Sequence, residues 1–308
     1  MKIFKNRGDI YISKSDNKRT REERILVLLL ILIIIFTAVF FILLNNKYSS
    51  VKEFFGSDDV STTVVEEVEE KLPEIYGKKN FLIFETDKEQ SDIHYIFLIQ
   101  ADRDNLAYKI CSFSPDMKID SSTIYEIFSA GGGASLQTKL TSYLGINIDY
   151  YAAFTDDNFI EMINKLGSFT YESDEVIKYD NNKNKNDTYS IRIKKGAQKI
   201  SGTELSELLR YYSEDKKNYK KANQIMLYAL VNLVNAENFD DSQALFRLFI
   251  NSSTTNITVR NFQDGYDALK IFCLKNKEIT VYAPDISVDA TKNIVPESMR
   301  EIKNYFSE

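Results

Sequence analysis

The sequence has few of the residues from which most zinc sites and disulfide frameworks are built. Its 308 residues include one histidine, His94, two cysteines and no tryptophan. Structural zinc sites draw most of their ligands from Cys and His at short spacings, so this composition argues against a zinc centre. Cys111 in KICSF and Cys273 in IFCLK each lie in an apolar segment. This placement is typical of small core residues, although a disulfide between them stays open.

Charge is absent from one long segment near the N-terminus. Residues 25–44 (ILVLLLILIIIFTAVFFILL) contain no charged side chain, and Thr37 is their one polar residue. A helix of this length spans roughly 30 Å, the hydrocarbon thickness of a bilayer. A cleaved signal peptide has a shorter apolar region that ends at small residues, and a buried helix of a soluble domain is rarely apolar on every face. The segment therefore predicts one retained transmembrane helix.

The charges on either side of this segment predict its orientation. Residues 1–24 contain eight Lys and Arg against four Asp and Glu, a net charge of +4. Because positive flanks stay in the cytoplasm, we expect residues 1–24 to be a cytoplasmic tail, residues 45–78 an extracytoplasmic linker and residues 79–308 an exported domain. Beyond the tail, 31 basic residues face 41 acidic ones, a net charge of −10, which argues against nucleic acid as a partner.

Strand-like and helix-like segments alternate through the exported part. FLIFET (81–86), HYIFLIQAD (94–102) and LAYKICSFS (106–114) are rich in branched and aromatic residues, which is typical of strands covered on both faces. Apolar residues recur at helical spacing in four segments, namely residues 135–144, 156–166, 201–209 and about 217–236. The second of these can be capped by Thr155 or Asp156, and Ser201 with Glu204 matches a capping box. The order of the segments predicts an α/β sandwich.

Three consecutive glycines, Gly131–Gly133, precede the first of these helical segments. Glycines before a helix can bind phosphate, because free backbone N–H groups and the helix dipole favour an anion there. A P-loop requires G-x-x-x-x-G-K-[ST] and a dinucleotide fingerprint requires G-x-G-x-x-G, and the run matches neither. It predicts a flexible entry to a helix rather than a phosphate loop.

The order of the short motifs resembles that of the LytR-CpsA-Psr family of envelope glycopolymer transferases. IFSAGG is followed by LGINIDYY, FIEMINKLGSF, ISGTELSELLRYY and KKANQ. The corresponding family segments are a closing GG, LGI.IDYY, F..lID.LGGV, L.G..AL.y.R.R and a helix that opens with R..RQ. LGINIDYY is the most specific of these matches. The resemblance extends from about residue 79 to the C-terminus.

This resemblance implies a three-layer α/β/α sandwich with a central mixed sheet, preceded by one transmembrane helix, in a single-pass protein of a bacterial cell membrane. It implies transfer of a phosphoglycosyl polymer from polyprenyl pyrophosphate to peptidoglycan, with the lipid held in an apolar pocket and Mg²⁺ as the cofactor. The expected partners are the polyprenyl-pyrophosphate-linked glycopolymer, peptidoglycan and the lipid bilayer. Such chemistry needs cations for the diphosphate and carboxylates for the metal ion or the acceptor hydroxyl.

Three aspartates match site positions of the family. Asp87 matches the aspartate of G.D.R, Asp92 that of sDt and Asp116 that of SIPRD. The resemblance implies that all three bind Mg²⁺ and that Asp92 and Asp116 are catalytic. Asp92 and His94 are two residues apart, so on a strand they would share a face.

Three further residues match the positions that bind the lipid pyrophosphate. Arg210 matches the first arginine of R.R, and a catalytic role is implied for it as well. Lys220 and Gln224 match the first and last residues of R..RQ. Because they are four residues apart, they would share a face of one helix.

The sequence departs from the family pattern at four positions where a cation is expected, which are occupied by Pro115, Thr123, Tyr212 and Asn223. Each lost charge-assisted contact to phosphate is worth about 1.5–3 kcal/mol. Lysines at 216, 217 and 221, or Mg²⁺, could supply the missing charge. The alternative is a catalytically impaired protein that binds polyprenyl-phosphate lipid or envelope polymer as a scaffold. Transcriptional regulation has no supporting residues, since the tail is too short for a DNA-binding fold.

Overall fold

The computed structural model describes residues 72–182, 188–284, 286 and 288–307. Within these ranges no helix is long and apolar enough to cross a bilayer. The predicted transmembrane segment, residues 25–44, lies outside them, as do the predicted tail and most of the predicted linker. Those assignments stay predictions.

The strands of the described chain are β1 (Lys78–Thr86), β2 (Ile93–Asp102), β3 (Ala107–Phe113), β4 (Lys118–Ile119), β5 (Ser122–Thr123), β6 (Tyr150–Thr155), β7 (Phe169–Ser173), β8 (Ile177–Asn181), β9 (Tyr189–Ile193), β10 (Gly196–Ile200), β11 (Thr254–Thr255) and β12 (Thr280–Tyr282). Six of them form the central sheet, in the order β11-β6-β1-β2-β3-β12. β1 pairs with β6 in parallel and with β2 antiparallel, and β3 pairs with β2 antiparallel and with β12 in parallel. The predicted α/β fold with a central mixed sheet is confirmed.

Helices cover both faces of this sheet. They are α1 (Ile124–Leu144), α2 (Asp156–Leu166), α3 (Gly202–Arg210), α4 (Tyr219–Leu233), α5 (Ala236–Asp240), α6 (Ser242–Ser252), α7 (Val259–Asp264), α8 (Tyr266–Leu274) and α9 (Pro296–Ser307). A π-helical turn, Tyr211–Asp215, continues α3, and a short 3₁₀ turn spans Asn276–Glu278. The remaining strands form three two-stranded ribbons, β4–β5, β7–β10 and β8–β9.

Each face of the sheet has its own apolar core. Leu82 and Phe84 of β1 pack with α1 and α9, whereas the alternate residues of β1 and β2 face α2, α3, α4 and α8. Phe84 and Phe97 are fully buried on opposite faces. Burial of one such side chain contributes about 1.5–3 kcal/mol. Because both faces are covered, the strands are almost continuously apolar in sequence.

The glycine run does precede a helical stretch, as predicted, but a further helical stretch precedes it, so the run lies inside α1 rather than at its start. α1 begins seven residues earlier, at Ile124, where Thr123 and Glu126 form a capping box. Gly131 and Gly132 interrupt the helix with non-helical backbone angles, and Gly132 has a φ of 64°. A Cβ on Gly133 would lie 2.6 Å from the ring of Tyr151. The run therefore makes a kink and allows close packing of helix on sheet.

Several local predictions are confirmed. Thr155 caps α2 through the N–H of Asn158, and the N–H of Gly167 closes that helix on Ile163. Ser201 and Glu204 form the predicted capping box. Two cysteines, at 111 and 273, are buried and unbridged.

Candidate functional site

The three predicted aspartates lie along one edge of the central sheet. β1 and β3 run in the same direction and β2 runs against them, so the ends of β1 and β3 meet the start of β2. Asp87 directly follows β1, Asp92 directly precedes β2 and Asp116 follows β3. This is the carboxyl edge, where open α/β sheets usually bind ligands.

Asp87 and Asp92 belong to one tight turn. Asp87 Oδ1 accepts hydrogen bonds from the N–H groups of Ser91 (2.6 Å) and Asp92 (3.0 Å), and its Oδ2 accepts one from Ser91 Oγ (2.5 Å). Burial raises the pKa of Asp87, but these hydrogen bonds outweigh it, so the pKa lies below its ordinary value. Asp92 is exposed and His94 is buried, so the prediction that they share a strand face is wrong, because β2 begins only at Ile93.

Asp116 is bound to two lysines. Its Oδ2 lies 2.6 Å from Lys292 Nζ and 3.3 Å from Lys217 Nζ, and its Oδ1 accepts a hydrogen bond from Ser114 Oγ. Partial burial raises the pKa of Asp116, but these contacts, with Lys292 first, lower it to about 2. Pro115 stands where a cation was expected, and the two lysines bring positive charge to this position from elsewhere in the chain.

A buried carboxylate, Glu85, lies one strand position inside the same edge. It faces Tyr95 across β1 and β2, and its Oε2 accepts a hydrogen bond from the Tyr95 hydroxyl (2.7 Å). Its Oε1 accepts one from Ser206 Oγ of α3 (3.0 Å). Complete burial raises the pKa of Glu85 to about 7, against the effect of these hydrogen bonds. Glu85 occupies the glycine position of the G.D.R motif, and sequence reasoning missed it.

His94 is placed beside this carboxylate by a β-bulge. The register runs from Glu85↔Tyr95 to Thr86↔Ile93, which leaves His94 as the extra residue of β2. Its Nδ1 lies 2.6 Å from Glu214 Oε1. Burial lowers the pKa of His94, but the hydrogen bond and charge of Glu214 outweigh it, so the pKa lies above its ordinary value.

Arg210 closes this buried network. Its Nε lies 3.9 Å from Glu214 Oε2, and its guanidinium lies 4.7 Å from the ring centre of Tyr189. The residue is 4% exposed. The charge of Arg210 is thus matched by Glu214 inside the protein rather than presented to solvent.

The π-helical turn explains why two adjacent acids point inward. Its wider turn is closed by the Lys216 N–H, which donates to the Tyr211 carbonyl (2.9 Å). Glu214 then reaches His94, while Asp215 accepts hydrogen bonds from two tyrosines, Tyr179 at 2.7 Å and Tyr189. Such turns occur often at functional sites.

The residues aligned with R.R and R..RQ differ in exposure. Tyr212 is buried and donates a hydrogen bond to Glu175 (2.7 Å), so it does not face solvent. Lys220 and Gln224 are both exposed on the first turns of α4, as their spacing predicts, and Asn223 is buried between them. Lys220 is therefore better placed than Arg210 to meet a ligand.

An apolar cavity of about 410 Å³ lies between the sheet and α4 to α8. Its sheet wall includes Ile83, Ile99 and Tyr108, and its helix wall includes Phe249 and Phe262. It occupies the same sheet face as the buried network. A volume of this size is in the range of ligand pockets, about 300–1,000 Å³.

A row of aromatic rings connects this cavity to the buried network. Phe249 lies 5.7 Å from Phe154, Phe154 lies 6.1 Å from Phe159, and Phe159 lies 5.9 Å from Tyr95, measured between ring centres. Tyr95 in turn donates its hydroxyl hydrogen bond to Glu85. The cavity lies toward the opposite end of the strands, since Phe81 of β1 and Tyr150 of β6 line it, and the packed rings separate it from the carboxyl edge.

The donor set at the edge fits a magnesium ion only in part. Among the described residues there is no group of three or more His, Cys, Asp or Glu side chains that could hold a metal ion. Asp116 is engaged by Lys217 and Lys292. Asp87 and Asp92 share one turn, and Mg²⁺ in phosphate-binding sites is often held by one or two carboxylates with substrate oxygens. Both oxygens of Asp87 already accept hydrogen bonds from Ser91 and Asp92, so binding of Mg²⁺ by the three aspartates stays a prediction.

A mixed sheet with helices on both faces, charged groups at its carboxyl edge and an apolar cavity on one face defines an α/β sandwich with a candidate ligand cavity. The chain belongs to the LytR_cpsA_psr family, whose sequence profile matches residues 40–303.

Solved structures share this fold at low sequence identity. A protein of Eubacterium siraeum DSM 15702, named as a transcription regulator, superimposes with a TM-score of 0.67 at 19% identity over 81% of this chain and 99% of its own. TagV of B. subtilis gives 0.59 at 15% identity over 76% and 97%. TagT bound to LI-WTA gives 0.53 at 14% identity over 75% and 89%.

A curated relative matches part of the chain. An uncharacterized protein of Staphylococcus aureus (strain NCTC 8325 / PS 47) is 24% identical over 170 residues, which is 54% of this chain. The match spans 39% of the length of that relative.

Proposed function

We propose that this protein is a membrane-anchored transferase of the bacterial cell envelope that moves a phosphoglycosyl polymer from polyprenyl pyrophosphate to a peptidoglycan hydroxyl. Family membership supports the class of reaction. The observation that carries the lipid assignment is the apolar cavity of about 410 Å³ on the sheet face that also holds the buried network. A structural neighbour of the same fold, TagT, is seen with LI-WTA.

In this proposal the far end of the polyprenyl chain occupies the cavity and its diphosphate lies at the carboxyl edge, so the rings of Phe154, Phe159 and Tyr95 would have to part along the chain. Lys217, Lys220 and Lys292 are among the exposed lysines of the described residues near this edge, and they would neutralise the phosphate oxygens. Phosphoryl transfer depends mainly on such positioning and charge neutralisation. The acceptor hydroxyl oxygen forms a bond to phosphorus, the bond to the lipid phosphate breaks, and polyprenyl phosphate leaves.

The aspartates then have different tasks. Asp116, with a pKa of about 2, is too weak a base to take the hydroxyl proton, and it holds Lys217 and Lys292 at the edge. Asp92 is the exposed carboxylate and is better placed to receive that proton. Mg²⁺, when bound, would be held by Asp87 and Asp92 and would neutralise further charge on the diphosphate.

The test is transfer by the full-length protein in detergent. A polyprenyl-pyrophosphate-linked glycan and peptidoglycan are supplied with Mg²⁺, and glycan attached to peptidoglycan is measured. Lys292→Gln should slow transfer about tenfold or more, because it removes a charge-assisted phosphate contact. Lys139→Gln, an exposed lysine of α1, is the matched control and should transfer at the unchanged rate. Absence of product where an active relative turns over would contradict catalysis.

A second function, lipid or polymer binding without transfer, is favoured by one observation. The guanidinium of Arg210 is 4% exposed and is matched by Glu214 rather than open to a ligand. The two functions differ in one measurement, mass spectrometry of lipids extracted from the purified protein beside the transfer assay. Bound polyprenyl phosphate without product supports the binding protein, and no bound lipid would contradict both.

A further inference from the structure

A short hairpin, residues 288–294, brings Lys292 to the carboxyl edge of the sheet. Its two arms are joined by a β-bridge between Val288 and Ile294. Ile294 is buried in the apolar core that contains α1 and α9. The carbonyl of Lys292 accepts a hydrogen bond from the N–H of Lys118 in β4 (2.9 Å). The hairpin is therefore fixed to the domain both at its base and at the lysine itself.

Asp289 organises the tip of this hairpin with one carboxylate oxygen. Its Oδ1 accepts hydrogen bonds from the N–H and the hydroxyl of Thr291 (2.8 and 2.7 Å) and from the N–H of Asn293 (3.0 Å). The backbone of Asp289 closes the same loop, because its carbonyl accepts from the N–H of Lys292 (3.0 Å) and its N–H donates to the carbonyl of Asn293 (2.9 Å). These hydrogen bonds fix the backbone on both sides of Lys292.

The two lysines that contact Asp116 share an uncommon backbone conformation. Among the described residues, five other than glycine have a positive φ, and Lys217 (50°) and Lys292 (69°) are two of them. In Lys292 this is the last position of a three-residue hairpin loop, which glycine usually occupies. A side chain there has a steric cost that glycine avoids. Strained backbone that its surroundings maintain is concentrated at functional sites, so a lysine at this position indicates that its side chain is used.

Lys292 stays open to a ligand while it contacts Asp116. Its Nζ lies 2.6 Å from Asp116 Oδ2, yet its side chain is 51% exposed. The ammonium group is thus held by one carboxylate oxygen and can still donate to an anion from solvent. Pro115, directly before Asp116, brings no charge to this place. The hairpin brings one from the far end of the chain.

We propose that Asp289 is a positioning residue of the candidate diphosphate site, where it fixes the hairpin so that Lys292 supplies beside Asp116 the positive charge that Pro115 lacks. The identity of the anion rests on the proposed function. Asp289 does not touch the ligand and acts through Lys292. Without its Oδ1 the tip loses three hydrogen bonds, and the lysine then has to be immobilised when the anion binds, which lowers affinity.

The experiment compares Asp289→Ala with Asp289→Asn by calorimetric titration of the full-length protein in detergent with inorganic pyrophosphate. Both variants remove the same negative charge, but the carboxamide oxygen of asparagine still accepts hydrogen bonds. Asp289→Asn should bind pyrophosphate at least as tightly as the native chain. Asp289→Ala should bind it about two- to tenfold more weakly, the range for immobilising one long side chain. Asp240→Ala, at an exposed aspartate of α5, is the matched control and should bind as the native chain does.

A double variant tests whether Asp289 acts through Lys292. Lys292→Gln should weaken pyrophosphate binding about tenfold or more, and the addition of Asp289→Ala should cause no further loss. A role of Asp289 in folding alone would instead add to the effect of Lys292→Gln. Thermal unfolding checks that each variant is folded at the titration temperature. If Asp289→Ala is not, Thr291→Ala replaces it, with Thr291→Ser as the conservative variant that keeps the hydroxyl donor.

The titration and the transfer assay have separate outcomes. Equal affinities of the alanine and asparagine variants, further loss in the double variant, or no pyrophosphate binding by the native chain would overturn the proposal. Transfer by the native chain together with such a result would contradict the positioning role alone. The expected affinities in a protein that transfers nothing would contradict the proposed catalysis and leave the role of Asp289 in place.

Discussion

Lys292 Nζ lies 2.6 Å from Asp116 Oδ2, although 176 residues separate the two in the chain. Lys217 also contacts Asp116, so two lysines lie beside this aspartate at the edge of the sheet. In the family motif the positive charge comes from the residue directly before the aspartate. Positive charge is therefore present beside Asp116 although the residue aligned with the family's arginine is a proline.

This contact predicts how stability changes in acid. The folded pKa of Asp116 is lowered to about 2, below its ordinary value of 3.8. Its stabilising effect is thus present above about pH 4 and is lost as the pH falls toward 2. Asp116→Asn should flatten the pH dependence in that window by less than about 1 kcal/mol, because the side chain is 38% exposed and solvent screens the pair. Urea unfolding from pH 2 to 6 measures this, with Glu161→Gln as an exposed control.

Glu85 predicts a change of the opposite sign. Its folded pKa is raised from 4.5 to about 7, so stability is highest below about pH 4.5 and falls as the pH rises toward 7. Glu85→Gln should leave stability at pH 4.5 nearly unchanged and raise it at pH 8 by about 3 kcal/mol. Burial also raises the pKa of Glu207 to about 7. Because Glu207 is present in both proteins, its effect on stability is the same in each and does not contribute to the difference. Equal stability of the two proteins at pH 8 would show that the pKa of Glu85 is not raised in the folded state.

The single histidine makes the buried network directly observable. Glu214 holds the pKa of His94 above its ordinary value of 6.5, and this stabilisation is lost as the pH rises through the folded pKa. NMR titration of the one imidazole should show protonation that persists above pH 6.5. Glu214→Gln should lower that pKa, because burial and Arg210 both oppose the charged form. An unchanged titration curve in the variant would contradict the contact.

The cavity predicts that added bulk excludes lipid. Ala268 of α8 lines the cavity, so Ala268→Leu should fill part of it at a cost in stability of at most about 1–3 kcal/mol. The amount of polyprenyl phosphate extracted with the protein should fall several-fold, as measured by mass spectrometry. Ala244→Leu makes the same change at an exposed position of α6 and should retain the native amount. Equal lipid in the two variants would place the lipid elsewhere.

Lys217 predicts a separation of stability from ligand binding. Its φ is 50°, a left-handed conformation that costs a lysine about 1–2 kcal/mol and a glycine almost nothing. Lys217→Gly should leave the free energy of unfolding unchanged or slightly raised, since part of the relief is offset by the greater freedom of unfolded glycine. Phosphate binding should nevertheless fall about tenfold or more. A strongly destabilised variant would mean that the contact of Lys217 with Asp116 holds the fold.

The central sheet could be predicted from sequence because its strands are apolar on both faces. The segments at 81–86, 94–102 and 106–114 lie within or almost coincide with β1, β2 and β3. The helix caps at Thr155 and Ser201 could also be predicted from sequence, because capping depends on residues three positions apart.

The buried network could not be predicted in the same way. Glu85 lies in an apolar segment, and its partner Ser206 is 121 residues away in the chain. His94 reaches Glu214 through a bulge that shifts the alternation of β2. Periodicity describes regular elements, so it fails where one residue is inserted into a strand or a helix.

The π-helical turn from Tyr211 to Asp215 limits how far helical spacing can be counted from the residues before it to the residues after it. The helix ends directly after this turn, because residues 216–218 are not helical and Lys217 has a φ of 50°. α3 and α4 are therefore separate helices with separate axes. Helical spacing cannot be counted from Arg210 through to Lys220, and the exposed face of α4 has to be read from Tyr219 onward.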